Sequence, residues 1–168
     1  IDITGWKLGD AASFGTITSH IIGPSEYALL VASADTAVFA FYPNVVRVTS
    51  FPSLNNAGDD IILQDASEVT MDQITYNLSW YQDSDKEDGG YSIEQINPLA
   101  ACSNPANWIG SAHPLGGTPS SENAAFDTSP DTTGPALTNV QILGSQSLEL
   151  RLNEALESGS IGALNVLI

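Results

Sequence analysis

The fold of this chain is decided by residues 60–76, which read Asp60-Ile61-Ile62-Leu63-Gln64-Asp65-Ala66-Ser67-Glu68-Val69-Thr70-Met71-Asp72-Gln73-Ile74-Thr75-Tyr76. Apolar and polar residues alternate on both sides of a short polar break, and this period of two is typical of β-strands. The stretch therefore predicts a β-hairpin with strands at 60–65 and 69–76.

The same alternation runs through most of the chain and is interrupted by clusters of Gly, Pro, Asn and Asp. Further strands are predicted at residues 1–8, 13–22, 27–32, 45–48, 91–96, 136–143 and 147–152. Residues 35–41 predict one helical turn instead, with Asp35 as N-cap and Val38, Phe39 and Phe41 facing inward. Many short strands separated by turns predict an all-β protein built from β-sandwiches.

The domain organisation is predicted from a change in composition. Residues 97–135 are rich in Pro, Gly, Ser, Asn and Asp, which indicates an ordered loop that passes into a linker. We therefore expect a first domain at residues 1–124, a linker at 125–135, and the beginning of a second domain at 136–168.

Composition restricts the possible functions. The chain has 168 residues, of which 42% are apolar and 14% are charged, so it can bury a core. Twenty acidic and four basic residues give a net charge of −16, and ten of the acids lie in residues 59–94. Such a chain is repelled by nucleic acid and by anionic membranes, and it has no apolar run of the length that a membrane span needs. We expect no nucleic-acid partner and no membrane insertion.

Several motifs in a fixed order resemble a known family. They are Ile3-Thr4-Gly5-Trp6-Lys7-Leu8, Ser53-Leu54-Asn55-Asn56-Ala57-Gly58-Asp59 followed by Ile61-Ile62-Leu63, Asp72-Gln73-Ile74-Thr75-Tyr76, and Gly89-Gly90-Tyr91-Ser92-Ile93-Glu94-Gln95-Ile96-Asn97-Pro98. With Trp108 and the segment 116–123, they resemble the bacterial lamin tail domain found in exported proteins of the Bacteroidota. The resemblance covers residues 1–124 and implies an immunoglobulin-like β-sandwich. Residues from Asp131 onward resemble the start of a bacterial Ig-like domain, so the second domain is expected to be a partial one.

One departure from the family pattern concerns the start of the chain. Family members begin with two strands that are absent here, so either the chain is a fragment or these strands come from another chain. Their absence predicts an open sheet edge. We therefore expect these residues, when expressed alone, to be unstable or to pair with another chain.

The resemblance also implies a function. It implies a non-catalytic module of an exported, multidomain protein located outside the cell or on its outer surface, which serves adhesion, spacing or binding of other proteins or surface components. The alternatives are an accessory, non-catalytic portion of a secreted hydrolase or nuclease, and a calcium-dependent carbohydrate-binding module. No Gly-x-Ser-x-Gly nucleophile motif is present, and no catalytic residue is predicted.

A candidate metal site lies in the acidic loop, defined by Asp83, Asp85, Glu87 and Asp88. Calcium requires six to eight oxygen ligands, and clustered carboxylates can supply them. No cofactor is required by this reading, and calcium is a possible ligand. Against it, Asp88 occupies the position at which a calcium loop needs glycine, and Glu94 is explained as an alternating strand residue. A solvated acidic loop is the alternative.

Two further candidate sites follow from short patterns. Trp80 and Tyr81 are adjacent to the acidic loop, and as neighbours in an extended segment they would point to opposite faces, so that one could bind a ligand. Thr36 and Thr132 lie in tripeptides that resemble the O-glycosylation signal of exported Bacteroidota proteins.

Overall fold

The computed structural model describes residues 1–100, 104–129 and 134–153. The chain forms two compact units, Ile1–Thr128 and Ser129–Ile168, and their division falls inside the predicted linker. Almost all regular structure in the described residues is β-strand, which confirms the all-β prediction. The strands are β1 (Lys7–Gly9), β2 (Phe14–Ile17), β3 (Leu29–Ala32), β4 (Val45–Thr49), β5 (Gly58–Gln64), β6 (Thr70–Asn77), β7 (Ile93–Gln95), β8 (Trp108–Gly110), β9 (Leu137–Gly144) and β10 (Ser147–Leu152).

The first unit is built on a mixed sheet of six strands in the order β3-β4-β2-β1-β5-β6. The predicted hairpin is confirmed as β5 and β6, which pair antiparallel with Ile61 opposite Ile74. Only β3 and β4 are parallel, and residues 33–44 connect them. A parallel pair cannot be joined by a tight turn, so this connection has to cross over the sheet end.

One face of this sheet carries the core. In the observed register Leu8 lies opposite Leu63, and Ile17 lies opposite Val48. Ile17 and Val48 are completely enclosed, with 1% and 0% of their surface exposed. Because side chains alternate along each strand, the period-two pattern places these residues on one buried face. Trp6 packs against the same cluster.

The antiparallel strands β7 and β8 form a separate two-stranded ribbon in this unit. A 3₁₀ helix, Leu78–Tyr81, follows β6 and carries the buried Trp80. The Trp80 and Trp108 rings stack with their centroids 5.2 Å apart. Stacked aromatic rings of this size fix the position of β8 against the 3₁₀ helix.

In the second unit the structure describes residue 129 and residues 134–153. Strands β9 and β10 form an antiparallel hairpin, as predicted, and most of their residues are exposed. The Ala136 N–H donates to the Asn153 side chain at 2.7 Å and closes the open end of the hairpin.

Removal of core volume in the first sheet should destabilise it strongly. Ile17→Ala should lower the free energy of unfolding by about 2–5 kcal/mol, because a fully enclosed side chain leaves a cavity. Val69→Ala, at a position that is 58% exposed, is the matched control and should change stability by less than about 0.5 kcal/mol. Urea denaturation followed by tryptophan fluorescence measures both; equal effects would refute this location of the core.

Asp10 predicts an acid-dependent loss of stability. Its carboxylate accepts hydrogen bonds from the Ala12 and Ser13 N–H groups at 2.7 and 2.5 Å. These backbone bonds, that of Ala12 first, lower the pKa of Asp10, whereas burial opposes them. A lowered folded-state pKa means that the ionised group stabilises the fold above its unfolded pKa, and that this stabilisation is lost as the pH falls through the folded value.

We therefore expect the melting temperature of the wild type to decrease more steeply below about pH 5 than that of Asp10→Asn. Calorimetry across a pH series tests this expectation. Parallel pH profiles for the two proteins would contradict it.

Candidate functional site

A cleft of about 890 Å³ opens in the first unit. It has two walls, one formed by the start of β3 and the crossover 33–44, and the other by the segments 90–94 and 115–123. We call this feature the aromatic cleft, because it is lined by the rings of Tyr27, Phe39, Tyr42 and Tyr91. Its volume is in the range of clefts that bind drug-sized ligands or peptide side chains.

The first wall is shaped by the crossover between the two parallel strands. The Asp35 carbonyl accepts the Val38 and Phe39 N–H groups at 2.9 and 3.3 Å, which closes a single turn. At its end, Asn44 adopts a left-handed conformation with φ 53°. The Asn44 side chain donates to the Tyr27 carbonyl at 3.0 Å. The end of the crossover is thereby attached to the residues that lie just before β3.

The prediction that Val38 and Phe41 face inward is wrong. They are 66% and 77% exposed, while Phe39 is half-buried at the cleft. The Phe41 ring lies instead against Tyr42, with centroids 4.2 Å apart. A single turn has only one side that faces the rest of the protein, and Phe39 lies on that side.

The second wall depends on Glu94, a carboxylate in β7 that is only 3% exposed. One of its oxygens accepts hydrogen bonds from the Ser92 and Thr118 hydroxyls, at 3.3 and 3.1 Å. The other accepts the Ala125 N–H at 3.2 Å. Three donors from separate parts of the chain therefore meet on one buried side chain, which satisfies the need of a buried carboxylate for hydrogen-bonding partners.

In the same wall, the backbone at Gly116 lies very close to the backbone at Gly90. Gly116 has φ +84°, and a Cβ at this position would lie 1.8 Å from the Gly90 carbonyl oxygen. The Gly116 carbonyl accepts the Ser92 N–H at 2.7 Å. Gly90 also has a positive φ, +84°, a conformation that glycine adopts without a steric penalty.

One hydrogen bond connects the two walls. The Ser120 hydroxyl donates to the Pro43 carbonyl at 2.6 Å, across 77 residues of sequence. At this point the two walls of the aromatic cleft are joined directly, and the bond fixes the distance between them.

The acidic loop lies beside this wall, but its carboxylates do not converge. Asp83 accepts the Asp85 N–H at 3.1 Å and lies 3.5 Å from the Lys86 ammonium group. Lys86 also donates to the Gly110 carbonyl at 3.1 Å. Asp85 and Asp88 are exposed, and Glu87 is half-buried. Within residues 1–100, 104–129 and 134–153, no group of three or more His, Cys, Asp or Glu side chains is placed to hold a metal ion.

Trp80 and Tyr81, the two aromatic residues predicted to bind a ligand, differ from the prediction in their backbone conformation. They lie in a 3₁₀ helix and not in an extended segment, because the Asn77 side chain accepts the Ser79 N–H at 2.9 Å and ends β6. Trp80 is 3% exposed, so its ring has no surface for a ligand. Tyr81 is half-buried and donates its hydroxyl to the Tyr91 carbonyl at 3.0 Å, behind the cleft residue Tyr91.

Of the two predicted glycosylation sites, Thr36 lies in the crossover and donates its hydroxyl to the Ser33 carbonyl at 3.2 Å. Thr132 lies outside the described residues. Glycosylation at either position stays a prediction.

Sequence reasoning missed the aromatic cleft itself. Tyr27, Phe39 and Tyr42 are brought to Tyr91 by tertiary contacts that no local pattern encodes. One signal was available for Glu94, since an acid between Ser92 and Ile96 at alternate strand positions points to the same side as both.

Comparisons with known proteins give no relative: no family model, no curated protein and no solved structure matches this chain. A search of the described residues finds no helix of the length and hydropathy that a membrane crossing requires.

Loss of the Glu94 carboxylate should loosen the second wall. Glu94→Ala should destabilise the first unit by about 1–3 kcal/mol or more, because buried donors lose their acceptor. Thr118→Val should cost about 0.5–1.5 kcal/mol for one bond, and Thr118→Ser, which keeps the hydroxyl, is its matched control. Urea denaturation and the rate of proteolysis within residues 111–126 measure the effect. Unchanged proteolysis in Glu94→Ala would contradict this role.

Proposed function

We propose that this chain is a non-catalytic binding module of an exported, surface-associated multidomain protein, and that its first unit binds a partner protein through the aromatic cleft. The observation that carries the proposal is the exposed apolar rim of the cleft. Leu115, in the second wall, is 86% exposed, and Phe41, whose ring lies against that of the cleft residue Tyr42, is 77% exposed.

Exposed apolar groups of this size have a thermodynamic cost in water. Burial of apolar surface stabilises by about 25 cal/mol per Å², so each side chain that stays in solvent forgoes this contribution. Single exposed residues are ordinary, but here they cluster around a concave surface. Aromatic residues at the centre of a depression are typical of protein interfaces.

The contacts within the cleft indicate that the binding site is already formed before a partner binds. The Ser120–Pro43 hydrogen bond and the Glu94 bonds hold both walls without a ligand. A site that is already in its binding geometry has less conformational entropy to lose on association.

Charge restricts the partner. With a net charge of −16, the chain repels anionic polymers and attracts basic surfaces. The resemblance to the bacterial lamin tail domain supports an exported location and an adhesive, spacing or partner-binding role. Protein is therefore the ligand class that we infer.

Selection of peptides on the folded chain tests this proposal. A displayed random-peptide library should be enriched on the wild-type chain and depleted on a Tyr42→Ala, Leu115→Ser double variant. Synthesised peptides from the selection should bind the wild type at least ten times more tightly than the double variant, as measured by calorimetry. The control variant Val69→Ser alters an exposed apolar residue outside the cleft and should leave affinity unchanged.

Two outcomes would contradict the proposal. One is a set of selected peptides that bind the double variant as well as the wild type. The other is an absence of peptide enrichment together with binding of an oligosaccharide panel that the Tyr42→Ala, Leu115→Ser change abolishes, which would assign the cleft to carbohydrate.

A further inference from the structure

Strand β6 is at the end of the six-stranded sheet, and within the described residues it pairs with β5 alone. It has eight residues, twice the length of β3 at the other end of the sheet. We propose that β6 is a second binding site, separate from the aromatic cleft, which accepts a basic extended segment of a partner protein as a seventh strand.

One hydrogen bond indicates which N–H groups of β6 point away from β5. The Gln73 N–H donates to the Asp72 side chain at 2.9 Å. Gln73 lies opposite Ile62, so this pair is one that does not exchange backbone bonds with β5. Because N–H groups alternate along a strand, the Thr75 N–H points to the same outer side. The N–H groups of Gln73 and Thr75 therefore lie on the side where an added strand would pair, and such a strand would replace the Asp72 carboxylate as the acceptor of the Gln73 N–H.

The edge lacks the protection that would keep a basic strand away. Natural edge strands are blocked by charged side chains, proline, bulges or short length. Strand β6 contains neither proline nor lysine, and its one charged residue, Asp72, disfavours an acidic strand and attracts a basic one. Its pairing irregularity lies at the start, between Leu63 and Gln64 of the partner strand, so Asp72 to Asn77 follow a regular register.

Charge selects among the possible occupants. The hairpin Gly58–Asn77 contains five acidic residues and no Lys or Arg. One of these acids, Glu68, forms an ion pair with Lys7 of β1. A second copy of this chain would bring an equally acidic hairpin, and like charges that face each other across strands are destabilising. A basic segment is attracted to the same edge.

The side chains beside the edge predict the pattern of the partner. Ile74 is half-buried and faces the core side with Ile61, whereas Thr75 bonds to Asp60 on the opposite face. A strand laid along β6 would therefore place one alternate set of side chains next to Ile74 and the other next to Gln73 and Thr75, on the face where Asp60 lies one strand further in. Alternating apolar and basic residues match this arrangement, and strand addition provides the affinity through main-chain bonds.

The test uses the 168-residue chain and the peptide acetyl-Lys-Val-Lys-Val-Lys-Val-Lys-amide as the probe. Two further peptides carry N-methyl groups, either on the valines or on the central lysines. Because only one edge of the added strand pairs with β6, one methylated peptide should bind at least ten times more weakly and the other should bind almost as well as the parent. A peptide with glutamate in place of lysine should not bind.

Hydrogen exchange followed by NMR locates the binding. The parent peptide should slow exchange of the Gln73 and Thr75 amide protons at least tenfold. It should leave exchange of Gly116 in the aromatic cleft unchanged, so failure of the cleft proposal and failure of this one give different results.

A matched pair of variants removes the outer N–H. Thr75→Pro should weaken binding of the parent peptide at least tenfold relative to Thr75→Val, since both variants lose the threonine hydroxyl and only proline lacks the N–H. If Thr75→Pro does not fold, the methylated peptides and hydrogen exchange still decide the question.

Three results would overturn the inference. Equal binding of both methylated peptides would reduce the interaction to charge attraction. A parent peptide that leaves Gln73 and Thr75 unprotected would place binding elsewhere. Concentration-dependent dimers in analytical ultracentrifugation that Thr75→Pro abolishes would assign the edge to a second copy of the chain.

Discussion

The first unit depends on the buried carboxylate of Glu94. A two-stranded ribbon of three-residue strands has few backbone bonds of its own, and an isolated ribbon of this length is marginal in water. Glu94 attaches it to residues 24 and 31 positions further along the chain, through Thr118 and Ala125. The long connection after β8 is ordered around this acceptor. Both the second wall of the cleft and the cover over part of the sheet follow from that attachment.

The strands and hairpins could be predicted from the sequence, whereas the contacts between distant segments could not. The hairpin of β5 and β6 and the hairpin of β9 and β10 were predicted because a period of two acts over neighbouring residues. Trp80 and Tyr81 were placed wrongly because a single side-chain acceptor, Asn77, converts the end of β6 into a 3₁₀ helix, and local competition of this kind is not expressed in hydropathy.

The candidate site was less predictable than the fold for the same reason. The sequence predicts that Val38 and Phe41 face inward because apolar residues usually do, yet of the three apolar residues Val38, Phe39 and Phe41 only Phe39 is half-buried. The predicted acidic loop gives no converging carboxylates, since Asp83 bonds within the loop and to Lys86. The acid that matters for the site is Glu94, whose role is visible only when its distant donors are known.

The parallel pairing of β3 and β4 has a consequence for the variability of this fold. A parallel connection has a minimum length but no maximum, and residues 33–44 are close to that minimum. Insertions in this segment would lengthen one wall of the cleft while the registers of all six strands stay as they are. The opposite wall has no such freedom, because a side chain at Gly116 would collide with the Gly90 carbonyl. Natural diversification of binding specificity in related chains is therefore expected to concentrate in the crossover.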